Sequence, residues 1–180
     1  VAAERYLTDH GYNATPLWTA VWRPISSSTT ASDRSTRWLA MLDVGFLTAC
    51  LALIAWAFAP EAAALAALVW GVGQGWVYIN VGGFGSFARF DWLLAVVAGV
   101  CLLRKEVRRA GGVALVAAAL LRVFPGALFF GPAVRGLYEL WRNRRLDVEL
   151  RRVLGGGFAA AAGLVPLSML GAGGGSYGQF

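Results

Sequence analysis

WLAMLDVGFLTACLALIAWAFAPEAAALAALVWGVGQGWVYINVGGFGSFARFDWLLAVVAGVCLL, residues 38–103, runs for 66 residues with four charged side chains, Asp43, Glu61, Arg89 and Asp91. A water-soluble fold of 180 residues has little use for such a stretch, and a membrane protein needs it. Residues 39–59 give 21 positions broken by one acid, and residues 62–83 give 22 with no charge. Each meets the roughly 20 apolar residues that cross the hydrocarbon layer. A bilayer offers the backbone no hydrogen-bond partners, so these segments are expected to be helices, with any chemistry placed where polar residues interrupt them.

Outward from that stretch the composition agrees: 58% hydrophobic and 14% charged, with mean hydropathy +0.59, against about 25% charged in an ordinary globular chain. The expected fold is all-α, a polytopic integral membrane helical bundle. The net charge of +6 does not point to nucleic acid, because 11 of the 16 basic residues lie after Leu103, in short loops beside apolar segments. Such residues report topology first. Cys50 and Cys101 sit singly inside apolar segments without metal or redox spacing. His10 is the sole histidine, which excludes a multi-His metal centre within this chain. The chain starts at Val1 without a signal-peptide pattern and stops at Gly-Gln-Phe without a closing signal, so an internal piece of a longer protein is expected.

Three regions follow from the pattern. Residues 1–37 read as a polar, interfacial lead-in, with turn chemistry at His10-Gly11-Tyr12-Asn13, a Ser/Thr-rich run at 26–36, and Trp18, Trp22 and Trp38 as headgroup-level rings. Residues 38–171 read as the transmembrane domain, and 172–180 as a glycine-rich tail or the start of an external loop. The domain holds five apolar segments: 39–59, 62–83, 90–103, 110–134 and 153–171. The third is short, since residues 92–103 reach only about 18 Å as a helix. Gly71 and Gly75 have the small-x-x-x-small spacing that lets helices approach closely.

The arginines create a topological conflict. Loops 104–109 (RKEVRR) and 135–152 are both rich in Arg, so both belong on the cytoplasmic face. A single span between them would separate them. Segment 110–134 is interrupted by Arg122 and by Pro125-Gly126, which break or bend helices. A broken hairpin, entering over 110–121 and returning over 127–134, resolves the conflict; one kinked 25-residue span with a cluster on the opposite side is the alternative. On the hairpin reading the external face collects Asp9, His10, Asp33, Arg89 and Asp91.

Three constellations could carry chemistry there. After the glycine run 82–85, Arg89-Phe90-Asp91 sets a cation and an acid at the mouth of a helix, either as an anion pocket with a base or as an ion pair capping the helix. Arg122, costing roughly 2.5–3.5 kcal/mol at the centre of a span, either grips a phosphate bidentately or pairs with Asp43 or Asp91. Gln74 and Tyr78 share a helix face near Trp76 and Asn80, lining a polar cavity or bonding to a neighbouring helix. G-x-S-x-G at 174–178 lacks the strand, helix and His partner of a nucleophile elbow. The glycines near 155 and 173 match no phosphate-loop pattern.

The order of parts in 118–126 (AALLRVFPG) and 138–145 (YELWRNRR), a small-residue helix, a basic residue, an aromatic and Pro, an apolar return and a Trp/Arg-rich loop, resembles the multispanning polyprenyl-phosphate-dependent glycosyltransferases. It is most similar to the bacterial alpha-mannosyltransferase-like family numbered 87, over residues 90–170. The resemblance implies sugar transfer from a polyprenyl-phosphate donor to an extracytoplasmic acceptor in a bacterial inner membrane; no cofactor is expected beside that lipid-linked donor, with a divalent metal left open. A Lys often stands in that family where Arg122 stands here. The family's acid lies on an external loop, and this chain has no Asp-x-Asp or Asp-Glu pair, which leaves Asp91 or Asp9 as catalytic candidates. Arg122, Arg89, Tyr78, Asn80 and His10 are the substrate-binding candidates. The competing class is a non-catalytic membrane protein, a transporter part or scaffold subunit, although no internal repeat supports the former.

Overall fold

The computed structural model describes residues 15–29, 32–71 and 88–172. Among these residues the protein is entirely helical, without strands: α1 (Pro16–Ser28), α2 (Asp33–Ala57), α3 (Pro60–Trp70), α4 (Asp91–Arg104), α5 (Arg108–Leu121), α6 (Gly126–Asn143) and α7 (Val148–Ala172). Among the described residues one helix meets the length and apolarity of a membrane span, residues 148–171 within α7, with mean hydropathy 1.8; shorter apolar helices cover 41–57 and 60–70.

Local chemistry sets the boundaries. Thr15 caps α1 by accepting from the Trp18 amide at 3.3 Å, with Pro16 in the first turn. Pro there loses no intrahelical bond. Ser32 and Ser35 form a reciprocal capping box on α2. Pro60 forces Ala59 into extended backbone and separates α2 from α3. Arg122 is likewise extended, and Pro125 then opens α6.

Two of these boundaries differ from the hydropathy reading. The lead-in holds a helix, α1, which packs on α7 and α5; only one of its faces is apolar, so a hydropathy window passes over it. Helix α6 continues past Val134 to Asn143. Backbone hydrogen bonds do not stop where side chains become charged, and the Arg135–Glu139 pair at i,i+4 supports the polar half at 2.9 Å.

The chain turns back at residues 122–125. Thr15 Oγ1 donates to the Leu121 carbonyl at one end of the bundle, while at the other end Arg108 Nε meets Glu149 Oε2 at 2.8 Å. Helices α4 to α7 therefore alternate in direction, and loops 104–109 and 144–147 lie side by side. There Glu139 accepts from the Asp147 amide and from Arg135, which hold its carboxyl below the ordinary carboxylate range.

The most extensive contact is between α5 and α7, which run in the same direction. A Cβ on Gly112 would strike the Val153 carbonyl, and one on Gly156 the Arg109 carbonyl. The helices touch backbone to backbone, as small residues permit. Away from this seam many large apolar side chains stay on the surface: α3 buries none of its residues, and Leu65, Phe130, Trp141, Phe158 and Leu170 are all exposed.

Candidate functional site

Two acids that the sequence sets 48 positions apart meet at the α1 end of the bundle. Asp43 comes from the middle of α2 and Asp91 from the first turn of α4, and both are buried, at 4% and 7% exposure. Burying a carboxylate in apolar surroundings is costly unless donors reach it, and the local backbone supplies them. Asp43 Oδ1 accepts from the amides of Arg89 at 2.8 Å and Phe90 at 3.2 Å. These consecutive N–H groups are aimed together because the preceding residue, Ala88, is left-handed, with φ of 50°. A β-carbon there costs roughly 1–2 kcal/mol, and the turn is held by the Trp18 indole, which donates to the Ala88 carbonyl at 3.2 Å.

Asp91 is held differently. Its Oδ2 accepts from the Trp22 indole at 2.7 Å and its Oδ1 from the Trp92 amide at 2.6 Å. Each oxygen thus already has a donor from the protein. Among the described residues no hydrogen bond reaches Asp43 Oδ2, which is buried. Of the two acids, Asp43 is the one with an oxygen that no donor reaches among the described residues.

Cations complete the group. Arg122, at the C-terminal cap of α5, lies within electrostatic range of Asp91, and Arg89 within range of Asp43. Aromatic rings wall the cluster: Trp92 stands edge-on to Phe124 at 4.6 Å between centroids, and Trp22 to Phe46 at 5.9 Å. Two acids, two arginines and three tryptophans from four helices and a turn therefore share one polar region at this end of the bundle.

Of the candidates named from sequence, Asp91, Arg89 and Arg122 come together here, with Arg122 beyond the end of a helix rather than at its centre. Asp9, His10, Tyr78 and Asn80 lie outside the described residues, as do Gln74, Trp76 and the glycine run 82–85. Hydropathy and charge alone assign Asp43 no more than a charge-pairing role and Trp18 and Trp22 the place of interfacial rings. The signal that finds the latter is spacing: Thr15, Trp18 and Trp22 recur at three and four residues, one face of a helix, and that face meets the cluster. Comparison with protein-family models, with curated proteins and with solved structures finds no match to this chain.

Proposed function

We propose that this chain belongs to a polytopic membrane protein that takes a polyprenyl-phosphate sugar as donor and transfers the sugar, mannose by the family resemblance, to an extracytoplasmic acceptor in a bacterial inner membrane. The observation that carries the reading is the gathering of Asp43, Arg89, Asp91 and Arg122 at one end of the helical bundle. Large apolar side chains exposed on α3, α6 and α7 suit lipid better than water. Arg122 and Arg89 would hold the donor phosphate and stabilise the charge that builds on it as the sugar leaves. A buried acid, Asp91 or Asp43, would take the proton of the acceptor hydroxyl. Asp9 stands as a further acid candidate, and His10, Tyr78 and Asn80 as substrate-binding candidates, on the family resemblance alone.

The topological part predicts that loops 104–109 and 135–152 face the same side. In a Cys50- and Cys101-free background, an impermeant thiol reagent added outside should miss cysteines at Glu106 and Asn143 and modify one at Ser86. Modification at Asn143 but not Glu106 would put the two arginine loops on opposite faces and end this arrangement. The chemical part predicts that membranes holding the protein transfer labelled sugar from a polyprenyl-phosphate donor, and that Arg122→Lys, which keeps charge but loses the planar fork, weakens donor binding while leaving the fold intact.

A second reading has its own observation. Both oxygens of Asp91 are engaged by tryptophan N–H groups, as in a static lock between α1 and α4. On that reading the protein is a non-catalytic scaffold or transporter part, and no donor turns over in membranes where it is stably folded.

A further inference from the structure

At the opposite end of the bundle the charges run against the helix dipoles. The N-terminus of a helix favours anions and repels cations. Yet α5 opens with Arg108-Arg109, has no acid in its first turn and no side-chain cap on its amides. Helix α7 opens with Glu149 but carries Arg151 and Arg152 immediately after. Because the two helices run in the same direction, with Gly156 against the Arg109 carbonyl, their positive ends lie side by side.

Between them is a groove of about 670 Å3, with Arg109, Arg151 and Arg152 around it and Val113, Gly155 and Ala159 along its apolar part. Arg152 is paired with Glu149 at 3.2 Å. Among the described residues Arg109 and Arg151 have neither an ion pair nor a side-chain hydrogen bond, and both are exposed. Three guanidinium groups beside two helix N-termini repel one another, and that repulsion is removed when an anion sits among them.

We propose that this groove binds the phosphodiester headgroup of an anionic diacyl phospholipid. The shape selects a lipid over a soluble anion. Below the arginines the groove is lined by small and aliphatic side chains, and α7 continues from it as the helix long and apolar enough to cross a membrane among the described residues, with Phe158 exposed alongside. A headgroup at the arginine level would lay its acyl chains along that surface. Basic pockets between spanning helices recognise anionic headgroups in this way. The inference rests on membrane insertion and is independent of sugar transfer.

The test uses the protein reconstituted in phosphatidylcholine bilayers and titrated with phosphatidylglycerol, read by the lipid retained on mild detergent extraction and native mass spectrometry. Phosphatidylglycerol should be retained over phosphatidylcholine. The Arg109→Ala/Arg151→Ala pair should weaken that retention roughly ten- to thirtyfold. Arg142→Ala/Arg145→Ala removes the same charge at the same end of the bundle and should leave retention unchanged. Equal loss in both double variants would mean a diffuse surface charge, and displacement by equimolar inorganic phosphate would mean a soluble-anion site; either overturns the proposal. Failure of the protein to float with the vesicles sinks the membrane reading as well, whereas flotation without phosphatidylglycerol preference removes only this site.

Discussion

Gly112→Ala and Gly156→Ala should each destabilise the protein by about 1–3 kcal/mol, although alanine is the better helix former by roughly 1 kcal/mol. The reason is what the new methyl meets. At Gly112 it meets the Val153 carbonyl, and at Gly156 the Arg109 carbonyl, both backbone atoms of the facing helix. A side chain can rotate away from an added methyl, but a helix backbone moves only as a body. The whole α5–α7 seam must therefore open. Gly163→Ala is the control, because nothing lies within 4 Å of a Cβ there; it should be neutral or mildly stabilising. Thermal or denaturing-detergent titration of the three variants in one micelle system reads the difference. Gly112→Ala as stable as Gly163→Ala would mean that α5 and α7 do not touch through their backbones.

That seam also marks how far the sequence carries. The spacing of Gly71 and Gly75 suggests a helix contact, but nothing lies within 4 Å of a Cβ at Gly71, and Gly75 falls outside the described residues. The backbone-to-backbone approaches of this seam are at Gly112 and Gly156, glycines that stand in no distinctive motif. Small residues permit close approach wherever they occur; which of them are used is decided by the partner helix, which no local pattern names. The break at 122–125 was legible for the opposite reason. Pro125 acts on its own backbone and on the residue before it, so its effect can be read in place.

The site divides along the same line. Asp91, Arg89 and Arg122 stand out because charge in an apolar run needs a reason, and that argument is local. The Trp22–Asp91 hydrogen bond joins residues 69 positions apart, and Asp43 meets the turn at 88–90 from another helix. Neither contact is implied by hydropathy. A reading based on apolar windows also sets residues 1–37 aside as a polar lead-in, and so sets aside α1, which supplies two of the three tryptophans.

The substitution that tests the cluster most sharply is at Asp43. Asp43→Ala removes the acceptor of the Arg89 and Phe90 amides, leaving these two partly buried N–H groups without it and the turn at the left-handed Ala88 with one tie fewer beside the Trp18 indole. A cost of about 1–3 kcal/mol is expected for such stranded donors, together with loosening of the Trp18 contact to Ala88, visible as a shift in tryptophan emission. Asp43→Asn keeps an oxygen in the Oδ1 position and discards only the charge, so it should keep most of the stability that alanine loses. Equal loss in Asp43→Asn and Asp43→Ala would mean that the carboxylate's charge, rather than its acceptor oxygen, holds the turn. With the fold preserved, Asp43→Asn also separates the two functional readings: a carboxylate that accepts a proton is disabled by the amide, whereas a fastener for the turn at 88–90 works as well with an amide oxygen. A stable Asp43→Asn protein that transfers no sugar, beside an active Asp91→Asn protein, would assign the proton-accepting role to Asp43 and leave Asp91 as the tie between α1 and α4.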